Sequence, residues 1–303
     1  MPLNKDVAAW LARQGPAESL SLAALRHQTD LSLIMQQGEA RDAHYQHSFT
    51  FPASDGHAIA VRVYVPCALE QQTERPALIW AHGGGWCLGS LTAWDRPCRL
   101  LAESTGCVVF SVDYRLAPEH RWPVPLNDLW QALCWISDHA TDWDLDRTRI
   151  AVGGDSAGGN LAAAVCLMAR DQGGPAIYHQ LLLYPALDAS LSQSSYQTCG
   201  QGYGLTTEVM AFCWQHYLGQ QPQPETPLVS PLRMSSARGL PATTLLLCEY
   251  DPLRDEGEAF ARRLMTEGVN VNLHWLDGLI HGAMHMTGIT PEAERCYSLS
   301  RFI

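Results

Sequence analysis

The sequence predicts an α/β fold in which helices cover both faces of a mostly parallel central sheet. Short apolar runs alternate with helical stretches from residue 77 to residue 276, a pattern typical of parallel strands joined by crossover helices. A Gly-x-Ser-x-Gly pentapeptide stands between one apolar run and a helical stretch, and a triple glycine follows another run. Both glycine segments indicate backbone that turns sharply or approaches a ligand closely.

The first 45 residues predict one or two helices. Two groups of apolar residues recur there at helical spacing: Val7, Trp10 and Leu11, and then Leu31, Ile34 and Met35. We interpret residues 1–45 as an N-terminal helical cap segment and residues 46–303 as the main α/β domain. The main domain opens with a hairpin over 47–66, whose turn is Ser54-Asp55-Gly56.

The remaining elements follow in order along the main domain. Strands are expected at 77–82, 107–112, 149–153, 178–184, 243–250 and 269–276, and helices near 93–104, near 126–138 and after residue 156. Residues 186–235 interrupt this alternation, because they are rich in Ser, Gln, Gly and Pro around one amphipathic stretch, 208–218. A long insertion of this kind is typical of a lid, so we predict a cap insertion over about 186–235.

The pentapeptide Gly154-Asp155-Ser156-Ala157-Gly158 predicts a nucleophilic serine. It follows the apolar run 150–152, and apolar residues recur at helical spacing after it. A strand that turns directly into a helix holds the serine exposed above the sheet, and the two glycines avoid clashes that a Cβ would make. Ser156 is the candidate nucleophile, and an ordinary glycine–serine turn is the alternative interpretation.

A second glycine segment, His82-Gly83-Gly84-Gly85-Trp86, follows another buried-strand pattern. Bare N–H groups in such a loop can hold the anion that forms when an ester carbonyl is attacked, each lowering the barrier by ~3–4 kcal/mol. Gly84 and Gly85 are the favoured candidate donors of this oxyanion hole, and Gly83 is a further candidate. The N–H of Ala157 is the expected donor beside the serine. A phosphate-binding glycine loop or a flexible turn is the alternative, but the sequence patterns of P-loops and dinucleotide sites are absent here.

A serine hydroxyl needs a base near neutral pH, and the base needs an acid that orients it. Asp251 and His281 each come shortly after a strand pattern, where open α/β sheets place their ligand sites. The chain order Ser, Asp, His is also the order found in serine hydrolases built on such sheets. The rivals are Asp255, one turn into the next helix, and His285, four residues beyond His281.

Several residues near these motifs have two interpretations. Trp86 and Tyr203 are candidate substrate-binding residues, with ordinary packing inside a cap as the alternative. The charged run Glu119-His120-Arg121 is expected to form a structural hydrogen-bond network rather than a catalytic group. Glu256 and Glu258 are expected on a solvated helix face.

Five ordered motifs carry a resemblance to a known family: HGGGW, DYRLAPEH, GDSAGGN, DPLRDEG and the late IHG. Together they resemble the hormone-sensitive-lipase-like family of carboxylesterases, and more narrowly its bacterial branch with a GDSAG motif, which includes acetyl esterases. The resemblance runs from about Thr73 to Thr287. It implies an α/β-hydrolase fold, a catalytic triad of Ser156, Asp251 and His281, and a helical cap built from the N-terminal segment and the late insertion. Ala283 departs from the aromatic residue that many members have after the His-Gly pair, which leaves acyl and alcohol preference open.

Composition argues against several other classes of function. The chain has 303 residues and a formal net charge of −11, and nucleic-acid or anionic-membrane binding would require basic patches instead. No apolar stretch is long enough to span a membrane, and the N-terminus lacks the apolar core of a signal peptide. Ten cysteines without a Cys-x-x-Cys pair argue against zinc or redox motifs. We therefore expect a cytoplasmic protein with reduced thiols that needs no metal or other cofactor.

The sequence thus predicts a serine carboxylesterase that cleaves short- to medium-chain carboxylic esters through an acyl-enzyme on Ser156. The expected partner is a small-molecule ester, and a homodimer is left open. An amidase or deacetylase with the same triad is the nearest alternative, because nothing in the sequence separates esters from amides. A ligand receptor on a hydrolase fold is a third alternative, and it would be expected to lack a member of the triad.

Overall fold

The computed structural model describes residues 1–15, 20–38, 46–66, 69, 72–220 and 225–302. Within these residues eight strands form one sheet: β1 (Gln46–Pro52), β2 (Ala58–Tyr64), β3 (Arg75–Ala81), β4 (Val108–Asp113), β5 (Leu145–Asp155), β6 (His179–Leu183), β7 (Ala242–Tyr250) and β8 (Val271–Ile280). The α-helices are α1 (Lys5–Leu11), α2 (Leu22–Gln36), α3 (Asp95–Thr105), α4 (Val124–Asp138), α5 (Ala157–Gln172), α6 (Ser195–Thr198), α7 (Thr207–Leu218), α8 (Arg254–Thr266) and α9 (Arg295–Ser298).

The strand order in the sheet is β1-β2-β4-β3-β5-β6-β7-β8. The first two pairs, β1 with β2 and β2 with β4, are antiparallel, and every following neighbour pair is parallel. Pro52 pairs with Ala58, which leaves the predicted turn at Ser54-Asp55-Gly56 between β1 and β2. The mostly parallel sheet predicted from the sequence is confirmed.

Two apolar cores lie on opposite faces of this sheet. Residues of α4, α5 and α8 belong to one core, and residues of α3 and α9 belong to the other. β3 contributes to both, because Ile79 packs in the first core while Leu78 and Trp80 pack in the second. Strands that are buried on both faces appear in the sequence as continuous apolar runs, which is why this part of the fold could be predicted.

The last strand is longer than the sequence predicts. β8 runs on to Ile280, which pairs with Tyr250 beyond an irregularity in the register that follows Cys248. Gly278 within this stretch has φ +72°, a backbone conformation that glycine adopts without a steric penalty. The extension places His281 directly at the end of β8, beside the end of β7.

The N-terminal segment forms helices as predicted, but its two apolar groups have different fates. Val7 of α1 is buried, whereas α2 has no buried residue. Leu31, Ile34 and Met35 of α2 are 47%, 39% and 82% exposed. The apolar face that their spacing defines therefore points to solvent rather than into the core.

Hydrogen bonds attach α2 to the main domain. The guanidinium of Arg26 donates to both carboxylate oxygens of Glu119, at 2.8 and 2.7 Å, and to the carbonyl oxygens of Cys87 and Ala117. Glu119 is thus part of a structural network, as expected from the sequence. Gln37, just after α2, donates to the carbonyl oxygen of Ala93 at 2.9 Å.

The limits of the cap segments stay predictions. The boundary expected between residues 45 and 46 borders positions outside the described part of the chain, and so do residues 221–224 of the insertion. Of the helices in the described residues, none is long and apolar enough to cross a membrane.

Candidate active site

The serine motif forms a tight turn between β5 and α5. Ser156 has φ +54° and ψ −119°, a conformation that side-chain-bearing residues rarely adopt. A Cβ on Gly158 would collide with the carbonyl oxygen of Ala81, and a Cβ on Gly154 would collide with the backbone of Gly158. The close backbone contacts across the turn therefore require glycine at both positions. The turn raises Ser156 above the end of the sheet.

Hydrogen bonds connect the serine to a histidine and an aspartate. Ser156 Oγ donates to His281 Nε2 at 2.8 Å, and His281 Nδ1 donates to Asp251 Oδ2 at 2.8 Å. Asp251 is fully buried, and its Oδ1 accepts the N–H of Leu253 at 2.8 Å. The structure therefore brings together the three residues that the sequence analysis selects from the ends of β5, β7 and β8.

The two rival residues lie outside this chain of hydrogen bonds. Asp255 forms an ion pair with the neighbouring Arg254 at 2.8 Å. His285 is buried, and its Nδ1 accepts a hydrogen bond from the amide of Gln37 at 2.9 Å. Neither residue hydrogen-bonds to Ser156 or His281 in the described structure.

The triple-glycine loop provides backbone donors near the serine. Gly84 and Gly85 have φ +102° and +59°. A Cβ on Gly84 would collide with the carbonyl group of Leu88, and a Cβ on Gly85 would collide with the thiol of Cys213 in α7. In the part of the chain that the structure describes, the N–H groups of Gly84, Gly85 and Ala157 have no hydrogen-bond acceptor.

Gly83 differs from the other two glycines of the loop. Its N–H donates to Oδ1 of Asp155 at 3.0 Å. The interpretation of Gly83 as a donor of the oxyanion hole is therefore wrong, because a backbone N–H that already has an acceptor is not free to bind an anion.

A cavity of about 640 Å³ opens onto this constellation. Ser156, His281, Gly84 and Gly85 line one part of it. The rest of its wall includes apolar side chains from the predicted cap segments: Trp10 and Leu11 of α1, Leu33 of α2, and Val209 and Met210 of α7. Among the described residues, no lysine or arginine lines the cavity.

Comparison with known proteins supports the same interpretation. A family model described as the alpha/beta hydrolase fold matches residues 78–285, which is well over half of the chain. The chain belongs to the α/β-hydrolase fold family. Its similarity to the hormone-sensitive-lipase-like branch, expected from the five motifs, is also confirmed.

Relatives of this hydrolase are named as esterases. The carboxylic ester hydrolase LipN of Mycobacterium tuberculosis is 38% identical over 264 residues, which cover 85% of this chain but 64% of LipN, so the match spans less than two thirds of that protein. The ethyl acetate hydrolase of Pseudomonas putida is 34% identical over 306 residues, covering 97% of this chain and 96% of the relative. The structure of ester-hydrolase EH1AB1 from the metagenome of Lake Arreo superposes with a TM-score of 0.94 at 33% identity, covering 98% and 96% of the two chains. This hydrolase is a carboxylic ester hydrolase.

Two residues proposed from the sequence to bind substrate lie elsewhere in the hydrolase. Trp86 is fully buried, and its ring stacks on Tyr217 and contacts Trp214 at centroid distances of 4.5 and 4.2 Å. Tyr203 packs against Tyr250 at 4.9 Å. Neither is among the residues that line the cavity, and the ring contacts of both are those of ordinary packing, the alternative that the sequence analysis leaves open.

The insertion contacts the loop that carries Asp251. Ser195 Oγ donates to the carbonyl oxygen of Pro252 at 2.6 Å and accepts the N–H of Asp255 at 3.2 Å. One of these partners lies just before the first residue of α8, and the other lies just after it. The sequence offered no signal for Ser195, since a serine in a polar insertion is usually exposed.

Glu256 was expected on a solvated helix face, and that interpretation is wrong. It is fully buried, where its carboxylate accepts the N–H of Leu187 at 2.7 Å and the hydroxyl of Tyr196 at 3.1 Å. Burial raises the pKa of Glu256 well above its usual range. Its spacing from Phe260 and Leu264, two buried residues of the same helix face, was the sequence signal that could have revealed this burial.

We expect His285 to make the stability of the hydrolase depend on pH. Burial lowers the pKa of His285 to about 3, from 6.5 in an exposed chain. As the pH falls below about 6.5, the unfolded chain binds a proton that the folded protein does not bind, and folded stability is lost. Relative to His285→Gln, wild type should lose about 2 kcal/mol of unfolding free energy between about pH 7.5 and about pH 5. Urea unfolding of both proteins at each pH measures this difference, and a constant gap would contradict it.

Proposed function

We propose that this hydrolase cleaves esters with Ser156 as nucleophile, His281 as general base and acid, and Asp251 as the residue that orients His281. The continuous hydrogen-bond chain from Ser156 Oγ through the imidazole to Asp251 Oδ2, with both distances 2.8 Å, carries the proposal. A carboxylate on Nδ1–H leaves Nε2 as the acceptor that the serine hydroxyl requires.

In the first step Ser156 Oγ attacks the ester carbonyl carbon while His281 Nε2 takes the hydroxyl proton. The carbonyl electron pair moves to oxygen, and the N–H groups of Gly84, Gly85 and Ala157 hold the resulting oxyanion. These donors have no competing acceptor in the described residues, so they need little rearrangement as charge develops. Collapse of the tetrahedral intermediate expels the alcohol, which leaves with the proton from His281.

In the second step water repeats the cycle on the acyl-enzyme. His281 takes a proton from water, the resulting hydroxide attacks the acyl carbon, and the oxyanion forms again at the same donors. Ser156 then leaves with the proton returned by His281, and the carboxylic acid is released. Asp251 stays ionised throughout and stabilises the imidazolium that forms in each step.

We propose short- to medium-chain, uncharged esters as substrates. Helices of both predicted cap segments bound part of the cavity of about 640 Å³. Its wall is largely apolar and carries no described lysine or arginine that could pair with an anionic substrate. The name of the Pseudomonas putida relative, ethyl acetate hydrolase, denotes a substrate of this size.

A series of aryl esters tests this substrate class. We expect kcat/KM to be highest for acyl groups of about two to eight carbons, because longer chains would extend beyond the walls of the cavity. Initial rates with acetyl, butyryl, octanoyl and palmitoyl esters measure the dependence. A steady rise of kcat/KM to the palmitoyl ester, or a jump in activity at an oil–water interface, would refute the proposal.

Two leucines of α2 provide a matched pair of variants for this series. Leu33 lines the cavity, whereas Leu31 is on the exposed face of the same helix. We expect Leu33→Ala to shift the preference toward longer acyl chains and Leu31→Ala to leave it unchanged. Equal shifts in both variants would show that the cavity wall does not set the preference.

Amide hydrolysis is the second candidate activity. One relative, the arylacetamide deacetylase of Oryctolagus cuniculus, is 30% identical over 76% of this chain, and it covers 73% of that protein. The same triad could act on an amide if His281 protonated the leaving nitrogen. An acetyl anilide assayed beside the matching acetyl aryl ester separates the two activities, and we expect the ester to be the better substrate.

We also propose a reducing compartment, the cytoplasm, for this enzyme. The cysteines in the described residues are free thiols, and most of them are buried in the two cores. Cysteines stay as free thiols in a reducing compartment, whereas oxidising compartments favour disulfides.

A further inference from the structure

The carboxylate of Asp155 has no part in the proposed reaction, although it lies next to the nucleophile. Asp155 is the last residue of β5, is 2% exposed and lines the cavity. Its Oδ1 accepts two hydrogen bonds, one from the N–H of Gly83 at 3.0 Å and one from the indole N–H of Trp94 at 2.8 Å. Burying a carboxylate costs free energy unless hydrogen bonds compensate for the lost water. The hydrogen-bond partners of Asp155 therefore need an explanation.

Hydrogen bonds hold the glycine loop on several sides. The carbonyl oxygen of His82 accepts the hydroxyl of Tyr114 at 2.7 Å, and the carbonyl oxygen of Gly83 accepts Nδ1–H of the His82 ring at 2.8 Å. The carbonyl oxygen of Gly84 accepts the N–H of Leu88 at 2.9 Å. Because each peptide unit is planar, fixing a carbonyl oxygen also fixes the direction of the N–H in the same unit.

Asp155 completes this set of bonds. The peptide unit between His82 and Gly83 is held by Tyr114 at its oxygen and by Asp155 at its N–H. The next two peptide units carry the free N–H groups of Gly84 and Gly85. Asp155 therefore connects β5, which ends just before Ser156, to the loop that carries these two donors by a side-chain hydrogen bond.

We infer that Asp155 is a positioning residue for the oxyanion hole, which ties the glycine loop to the nucleophile strand so that Gly84 and Gly85 keep their place relative to Ser156. This inference rests on the proposed function. Misplacing a catalytic group by about 1 Å can cost about 100-fold in rate. The hydrogen bond from Gly83 to Asp155 should therefore stabilise the transition state, in which the oxyanion exists. It should have little effect on the affinity for the neutral ester.

The required property of Asp155 is its ability to accept hydrogen bonds rather than its negative charge. A charge beside the forming oxyanion would oppose catalysis, and burial raises the pKa of Asp155 to about 7. Gly83 and Trp94 each present an N–H, and a neutral carbonyl oxygen can accept both. Asp155→Asn should therefore preserve the hydrogen bonds from Gly83 and Trp94, whereas Asp155→Ala should remove them.

Steady-state kinetics of Asp155 variants test this role. We expect Asp155→Ala to lower kcat for an aryl acetate about 100-fold with KM within about threefold of wild type, and Asp155→Asn to stay within about tenfold of the wild-type kcat. The inhibition constant of an aryl trifluoromethyl ketone, which forms a tetrahedral oxyanion adduct on the serine, should rise in proportion to the loss of kcat in Asp155→Ala.

Two further variants each remove one hydrogen bond from the set that holds the glycine loop and Asp155. Tyr114→Phe releases the other end of the peptide unit that Asp155 holds, and it should also lower kcat without raising KM. Trp94→Phe removes the indole donor but leaves the bond between Asp155 and Gly83, so its effect on kcat should be smaller than that of Asp155→Ala. These variants keep the test decisive if Asp155→Ala does not fold, as judged by circular dichroism.

Several results would overturn the inference. They are a kcat of Asp155→Ala within threefold of wild type, an Asp155→Asn enzyme as inactive as a folded Asp155→Ala, or a loss that lies entirely in KM. If Asp155→Ala does not fold, an inactive Asp155→Asn or an unaffected Tyr114→Phe overturns it. Ser156→Ala, assayed in parallel, separates the inference from the proposed function: turnover by Ser156→Ala refutes the function itself. An inactive Ser156→Ala beside a fully active Asp155→Ala refutes only the role of Asp155.

Discussion

Ser156→Ala should lower kcat for aryl acetate hydrolysis by about 10⁶-fold, the loss typical of removing the nucleophile of a serine triad. Alanine keeps the Cβ and removes only the hydroxyl that donates to His281 at 2.8 Å. The remaining rate over water would come from the N–H donors and from substrate binding. The folded structure should be nearly unchanged, because alanine and serine meet the same steric strain at the positive φ of position 156.

Active-site labelling provides the second measurement for this variant. An aryl phosphonate should add one phosphonyl group to wild type, on the peptide that contains residues 154–158, and none to Ser156→Ala. Ser300→Ala is a matched control, since Ser300 is also buried but its hydroxyl donates to the carbonyl oxygen of Cys296 outside the site. A Ser156→Ala enzyme with a substantial share of the wild-type kcat would falsify the assignment of the nucleophile.

Asp251→Asn should lower kcat by about 10⁴-fold. The carboxylate of Asp251 accepts Nδ1–H of His281 at 2.8 Å, and Oδ1 is already used by the N–H of Leu253. An asparagine that keeps the bond to Leu253 turns its NH₂ group toward the imidazole. The ring then carries its proton on Nε2 and cannot accept the proton of Ser156.

Asp255→Asn is the matched control for this variant. Asp255 lies in the first turn of α8 and pairs with Arg254, so its charge stabilises the helix start by less than about 1 kcal/mol. Most of the activity should remain. Thermal unfolding and kcat of both variants distinguish the catalytic role of Asp251 from the structural role of Asp255. The proposed triad would be wrong if Asp255→Asn were inactive while Asp251→Asn turned over substrate.

The fold could be predicted from the sequence because its decisive features are local. All seven residues of β3 are buried, and from Ala77 to Ala81 they form one apolar run that is visible without any knowledge of its partners. The irregular register near the end of β8 was missed, since it depends on pairing with Tyr250 and on the positive φ of Gly278. The end of a strand is set by its neighbours in the sheet more than by its own composition.

The residues of the site that were misinterpreted all depend on contacts with distant segments. Trp86 follows the glycine loop directly, yet α7 covers it with Trp214 and Tyr217. Glu256 is buried because Leu187 and Tyr196 of the insertion supply its donors. No pattern around either residue identifies those partners, because the amphipathic stretch 208–218 does not show which part of the main domain it covers.

The sequence by itself determined the order of the strands and helices along the chain, the tight turn at Ser156 and the candidate acid and base at two strand ends. It could do so because short-range sterics and the burial of apolar runs require particular residues at particular spacings. Only the tertiary structure decided which N–H groups are free to hold an anion. Gly83, Gly84 and Gly85 are identical in the sequence, and they differ because the carboxylate of Asp155, about seventy residues away along the chain, accepts the N–H of one of them.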